Sequence, residues 1–209
     1  MVYRFLRATG IAVAFVSVLS GGWVEAQTIP RHLHQKISTS KPNPQLFNEA
    51  VLLFSNAARR KHGRSPLTLD PALALAANDH ARNMARLKTH SHDLPVRGQR
   101  DLSQRIKRRS VSFRLAAENI AMDKVYRLLG RPIAANYSGC NFRYGDTKEA
   151  VPAHTYASLA QQVVSRWVAS PGHKKNLLNK KYQRLGAGIG VDPNGPACGD
   201  FYLVQNFAD

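Results

Sequence analysis

The chain has 209 residues, 44% of them hydrophobic, and this length suits one domain with short additional segments. It has 30 lysines and arginines against 13 acidic residues, a net charge of +17, which favours association with anionic surfaces but specifies neither a fold nor an activity. Its two cysteines are far apart, which excludes a Cys-x-x-Cys redox motif.

The first 26 residues have the pattern of a secretory signal peptide. Arg4 and Arg7 precede an apolar run over residues 11–19, and residues 24–26 offer a small-residue cleavage site. The run is shorter than the about 20 residues that cross a bilayer, and an uncleaved interfacial anchor is the alternative. We therefore expect a secreted or periplasmic protein that is not transmembrane after cleavage.

The mature chain is predicted to begin with a flexible leader. Residues 27–44 are polar and contain three prolines, which is typical of an irregular segment. The remainder, residues 45–209, is expected to form one domain. From Gln45 to His62 apolar residues recur at three- and four-residue spacing, which predicts an amphipathic helix that Gly63 ends.

A second helix is predicted from a short capping signal. Asp70 is a typical N-cap residue, and Pro71 suits the first helical position because its missing N–H has no partner to lose there. The helix should reach about Leu87. His80 lies within it, and we interpret this histidine as a core or boundary residue.

Three features follow before the middle of the chain. A loop carries His90 and His92. A short helix is predicted over residues 101–109, and its basic cluster from Arg105 to Arg109 is interpreted as a solvated helix face. Glu118 then lies among small apolar residues, which is anomalous because buried carboxylates are rare unless they are paired.

A long irregular segment over residues 123–155 interrupts the domain. Loops of this length inside a domain are usually functional lids or disordered. The segment contains Cys140, which in an oxidising compartment can form one intrachain disulfide, with Cys198. Two buried thiols are the alternative.

A third helix over residues 156–169 leads to a stretch that begins another helix start. Ser170 can cap it through its hydroxyl, Pro171 suits the first position, and His173 falls in the first turn. The positive end of a helix disfavours imidazolium there, so His173 can bind a metal or accept a proton. Residues 184–191 and 201–207 then predict an antiparallel hairpin.

Several short motifs occur in a characteristic order. They are Asn56-Ala57-Ala58-Arg59, Leu67-Thr68-Leu69-Asp70-Pro71-Ala72-Leu73, Ser91-His92, Ala117-Glu118-Asn119-Ile120-Ala121, Trp167-Val168-Ala169-Ser170-Pro171-Gly172-His173, Asn176-Leu177-Leu178, Gly186-Ala187-Gly188-Ile189-Gly190 and Tyr202-Leu203-Val204-Gln205-Asn206-Phe207. Each is weak alone, but together they resemble the CAP superfamily, also called SCP-like, and its bacterial exported branch in particular.

The resemblance implies an α/β/α sandwich, with helices on both faces of a small, mostly antiparallel sheet. It also implies a cleft lined by His92, His173 and Glu118, with His90 as an alternative or neighbour to His92. Many eukaryotic members have a second acid where this chain has Ser170, so a four-residue ligand set is incomplete here.

Two functions follow from this site. The first is a non-catalytic exported module that binds a lipid, a glycan, an anionic envelope surface or a protein, with nucleic acid a weak candidate. Basic residues that favour an anionic surface are Arg105 to Arg109, Lys174, Lys175, Lys180, Lys181 and Arg184. The second is a hydrolase in which His92 and His173 hold Zn²⁺ or another divalent ion and Glu118 acts as the base.

Overall fold

The computed structural model describes residues 28–136 and 139–209. The predicted signal peptide lies outside these residues. In the described part no helix combines the length and the apolar character that crossing a membrane requires. The helices are α1 (Pro44–Lys61), α2 (Pro71–Leu87), α3 (Leu102–Arg108), α4 (Tyr156–Ala169) and α5 (Pro171–Leu177), after a short 3-10 helix at Arg31–His34. The strands are β1 (Thr68–Leu69), β2 (Ala116–Lys124), β3 (Ile133–Asn136), β4 (Asn141–Tyr144), β5 (Arg184–Asp192) and β6 (Asp200–Ala208).

A four-stranded sheet in the order β1-β5-β6-β2 forms the centre of the domain. The predicted hairpin is present as β5 and β6, and β2 pairs with β6 in antiparallel register. Only the two-residue β1 is parallel to its neighbour. Helices α1 and α4 cover one face and α2 covers the other, so the sheet is buried on both sides. The predicted α/β/α sandwich is confirmed.

Three glycines of β5 explain how closely α2 approaches the sheet. Gly186, Gly188 and Gly190 alternate along the strand and therefore share the face that packs on α2. A Cβ atom at any of them would lie 2.1–2.2 Å from the backbone of α2. The helix can therefore contact the strand directly only because these side chains are absent.

Local capping signals agree with the structure at one helix and differ at another. The Asp70 side chain accepts hydrogen bonds from the N–H groups of Ala72 and Leu73 at 2.9 and 3.0 Å, as expected. Ser170 stands at the N-cap position of α5, but its hydroxyl makes no capping hydrogen bond. The prediction for the Ser170 side chain was wrong, and its backbone carbonyl instead accepts from Lys174.

The segment before α1 differs from a flexible leader over the residues that are described. Leu33 and Ile37 are buried in the main core, and the N–H of Ile37 donates to the carbonyl of His154 at 3.0 Å. The segment is polar in composition, but burying these two apolar side chains is favourable and holds it in one packed conformation.

The segment over residues 123–155 is more regular than its sequence suggests. It holds the end of β2 and the antiparallel pair β3–β4. Phe142, Tyr144 and Val151 form a small core of their own against the β5–β6 turn. The expected disulfide between Cys140 and Cys198 joins the segment to that turn.

Candidate functional site

Glu118 is buried on β2, opposite Asn206 of β6, with 2% of its side chain exposed. Both of its carboxylate oxygens accept from the guanidinium of Arg105, Oε1 at 3.0 Å and Oε2 at 2.9 Å. Both hydrogen bonds come from the same nitrogen, Nη2, and the opposite charges of the two groups strengthen each of them. The anomalous carboxylate in the sequence therefore has a buried cation as its partner.

Two further donors complete the surroundings of the carboxylate. Nδ1 of His92 lies 2.9 Å from Oε1. With the amide of Asn206 oriented to place its nitrogen toward Glu118, that nitrogen lies 3.1 Å from Oε2, and its oxygen accepts from the N–H of Ala77 at 3.3 Å. A carboxylate has about four acceptor positions, and here all four are used.

Arg105 is the residue of this site that sequence reasoning missed. Its side chain is completely buried, and it also donates to the carbonyls of Gln99 and Arg100 at 3.3 and 3.1 Å. The solvated-face interpretation was wrong for Arg105, although it fits its exposed neighbours Lys107 and Arg108. The seven-residue α3 turns Arg105 inward beside Ile106, where Glu118 supplies the charge that makes burial tolerable.

His80 lies under the carboxylate. It is completely buried on α2, with Nε2 3.7 Å from Oε1 of Glu118, which is beyond hydrogen-bond range. Neither ring nitrogen has a hydrogen-bond partner among the described residues. Burial lowers the pKa of His80 to about 4, so the ring is neutral at physiological pH. His80 is therefore a core residue, as predicted, but its ring nitrogens make no hydrogen bond with any described residue.

Three other histidines, His90, His92 and His173, lie close together near Glu118, and their pKa values shift in different directions; we call them the rim. The hydrogen bond to Glu118 raises the pKa of His92. Burial lowers the pKa values of His90 and His173, and the nearby positive charges of His92 and Arg166 lower them further. For His173 the direction agrees with the expectation from the helix dipole, but burial is the main cause. His92 is therefore the rim histidine that most readily carries a charge.

Helix α5 places His173 beside the strand that carries Glu118. The backbone carbonyl of His173 accepts from the side-chain amide of Asn119 at 3.2 Å. The Asn176 amide donates to the carbonyl of Glu118 at 3.3 Å and to the Asn119 side chain at 3.0 Å. His92, Glu118 and His173 thus lie near one another, but of the two histidines only His92 bonds to the Glu118 carboxylate within the described chain.

This arrangement could hold a divalent metal only through imidazole ligands. Within residues 28–136 and 139–209 no three His, Cys, Asp or Glu side chains are grouped as a metal site. Glu118 cannot be a direct ligand because Arg105, His92 and Asn206 occupy its oxygens. What remains are the imidazoles of His92 and His173, with Glu118 orienting His92 as a carboxylate does behind a metal-bound histidine.

The disulfide-linked segment lies away from Glu118. Lys124 pairs with Asp200 at the end of β2 nearest the disulfide, and six residues of strand separate it from Glu118, about 20 Å. The described part of the segment packs on the β5–β6 turn and on the start of α4. This placement gives no support to a lid over the carboxylate.

Comparison with known proteins identifies the family of this chain. Residues 54–207 match the CAP, or cysteine-rich secretory protein, family. Two Bacillus subtilis proteins are similar to this chain. The uncharacterized protein YkwD is 24% identical over a match that covers 72% of this chain and 46% of YkwD. The uncharacterized membrane protein YlbC is 27% identical over a match that covers 91% of this chain and 40% of YlbC. The chain spans less than half the length of these relatives.

One solved structure shows the same fold. An outer surface protein from Borrelia burgdorferi is 20% identical with a TM-score of 0.50, covering 84% of this chain and 98% of that one. An extracellular protein with an SCP domain from Bacillus anthracis is 25% identical with a TM-score of 0.49, covering 78% and 40%. The family match over residues 54–207 includes β2, α5 and nearly all of the β5–β6 hairpin, and it shows that the chain belongs to the CAP family.

Proposed function

We propose that this chain is an exported CAP domain that binds an anionic or lipidic envelope ligand in the cleft rimmed by His90, His92 and His173, and that it is not an enzyme. The observation that carries this proposal is the state of Glu118. The carboxylate is buried, paired with Arg105 and hydrogen-bonded at every acceptor position.

A carboxylate in this state is a poor general base. A base must reach the proton that it abstracts and must gain from accepting it. The contacts from Arg105, His92 and Asn206 occupy the acceptor positions of Glu118, so none is left to face a substrate. Its contacts suit a fixed anion that orients His92 and stiffens the cleft floor.

The rim suits an anionic group better than a cationic one. Glu118 favours the charged form of the His92 imidazole. Arg166 is half exposed beside the rim, and Asp123 lies 3.2 Å from its guanidinium. The other imidazoles offer N–H donors. A phosphate or carboxylate head group would gain charge-assisted hydrogen bonds from this set.

The cleft can be tested with a monomeric lipid that forms no bilayer. We expect short-chain phosphatidylglycerol, titrated into the full protein by calorimetry, to bind and to weaken as salt rises, because screening shortens the reach of exposed charges to about 10 Å at 0.1 M. The double variant His92→Gln with His173→Gln should bind at least about ten-fold more weakly, a loss of about 1.4 kcal/mol.

The matched control is His34→Gln, because His34 is an exposed histidine on the 3-10 helix before α1. Its affinity for the lipid should equal that of the unaltered protein. The proposed function would be contradicted if the lipid did not bind. It would also be contradicted if the affinity changed neither with salt nor in the His92→Gln with His173→Gln variant.

The alternative is a metal-assisted hydrolase that uses His92 and His173 as ligands. The contact that favours it is the one from Nδ1 of His92 to Glu118, because it leaves Nε2 as the available ligand atom. Metal analysis of the purified protein, compared with His173→Ala, separates the two functions. Bound metal that the substitution removes would support the alternative, and no metal in either sample would end it.

A further inference from the structure

Two of the acid-free segments of this chain are rich in lysine and arginine. Residues 50–69 and 168–191 hold nine lysines and arginines and no aspartate or glutamate. The first segment includes the C-terminal part of α1, and the second includes α5 and the loop after it. Almost a hundred residues separate them, so the sequence does not reveal whether they meet.

The structure joins them through two arginines. The buried Arg59 donates to the carbonyls of Leu177 and Asn179 at 2.8 and 3.0 Å. Arg64, just beyond α1, donates to the carbonyl of Leu178 at 3.1 Å. These two side chains therefore link the end of α1 to the end of α5.

The remaining cations of these segments gather at this junction, which we call the basic corner. Its members are Arg60, Lys61, Arg64, Lys174, Lys175, Lys180 and Lys181. Its five lysines form no ion pair with any carboxylate in the described chain, whereas Arg184 nearby is paired with Asp70. Helix dipoles explain cations in the last turns of α1 and α5, but not those of the loop at Lys180 and Lys181.

We propose that the basic corner docks the protein on a membrane surface of anionic phospholipids. Clusters of four to eight lysines and arginines are typical of such surfaces, with about 1 kcal/mol, or about five-fold in affinity, from each residue. The proposal rests on the proposed export of the chain, and it is independent of what the cleft binds.

The chemistry of the corner favours headgroups over other polyanions. Single-stranded nucleic acid is bound through exposed aromatic side chains as well as charge, and neither acid-free segment exposes one: Phe54 is half buried and Tyr182 is buried. The described residues with exposed large hydrophobic side chains, Leu69, Leu75, Leu115 and Leu129, are not part of the corner. Binding should therefore be electrostatic and peripheral, without insertion.

Docking at the corner also orients the cleft. Lys174 and Lys175 directly follow His173 in α5, so the same short helix contributes to both surfaces. A protein held by the basic corner presents the histidine rim beside the headgroup layer.

The test compares two variants that lose the same charge in different places. The corner variant replaces Lys174, Lys175, Lys180 and Lys181 by Gln. The control variant replaces Arg82, Arg97, Lys107 and Arg108, which are exposed elsewhere, by Gln. Co-sedimentation of the full protein is measured with vesicles of phosphatidylcholine alone and of phosphatidylcholine mixed with phosphatidylglycerol, and melting temperatures verify that both variants fold.

We expect binding to the mixed vesicles only, weakened on the order of several hundred-fold by the corner variant and less than about three-fold by the control. Inorganic phosphate at matched ionic strength should not compete, and an oligonucleotide should not bind more tightly than the vesicles. Equal losses in the two variants, unchanged binding of the corner variant, or preference for the oligonucleotide would overturn the proposal. The rim variant with His92→Gln and His173→Gln should still bind vesicles, so failure at the cleft is distinguishable from failure at the corner.

Discussion

Arg59 and Arg105 are both buried almost completely, but they are held in opposite ways. Arg105 faces a carboxylate, and the two charges of the Arg105–Glu118 pair cancel at the floor of the cleft. Arg59 faces only the carbonyls of Ser65, Leu177 and Asn179. Burial and the charge of nearby Arg64 lower the pKa of Arg59, yet a guanidinium remains charged in proteins.

The difference shows how one basic chain can build two kinds of surface. At the cleft, Arg105 is buried and holds Glu118, the only buried carboxylate of β2, in place. Its hydrogen bonds occupy acceptor positions of that carboxylate. At the junction of α1 and α5 a cation links two helix ends through carbonyl dipoles, beside five lysines that form no ion pair with a described carboxylate. The first arrangement favours a rigid binding cleft, and the second favours an anionic partner outside the protein.

The largest expected effect comes from removing the cation of the cleft. Arg105→Met leaves the Glu118 carboxylate buried without its counter-charge and should lower the free energy of unfolding by about 3–5 kcal/mol, measured by urea denaturation. The exposed Arg108→Met, one helical turn away, should change it by less than about 0.5 kcal/mol.

A second substitution sharpens this result. Adding Glu118→Leu to Arg105→Met removes both charges and should recover most of the loss, because an ion pair replaced by apolar side chains is often neutral. If the double variant is less stable than Arg105→Met alone, the two residues are not coupled as described.

A smaller effect is expected at the other buried arginine. Arg59→Met removes hydrogen bonds to three carbonyls but leaves no buried charge behind, so the loss should be about 2–3 kcal/mol. The measurement is the same denaturation experiment, with the exposed Lys61→Met as the control. A loss as large as that of Arg105→Met would remove the distinction between the two sites.

The sequence predicted those parts of the fold and the site that depend on local signals or on the order of motifs. The Asp70 cap and the β5–β6 hairpin depend on residues that are neighbours in the sequence. The family resemblance predicted that His92 lies close to Glu118. The sequence did not predict the burial of Arg105, because its partner belongs to a strand whose position depends on the whole sheet. A basic residue among basic neighbours carries no local sign of this.

Two other differences have the same origin. Leu33 and Ile37 are buried because α4 and the core offer them a surface, which the polar composition of residues 27–44 conceals. Ser170 has the right residue type and position for a cap, but its hydroxyl is not used. Capping preferences describe what a residue can do, and the surrounding structure decides whether it does so.

The central claim is that Glu118 is a fixed anion bonded to His92, and NMR titration of the His92 ring tests it most directly. Because the carboxylate favours imidazolium, the pKa of His92 should lie above the ordinary value near 6.5 and should fall in Glu118→Gln. A His92 ring that titrates identically with and without the carboxylate would contradict the account.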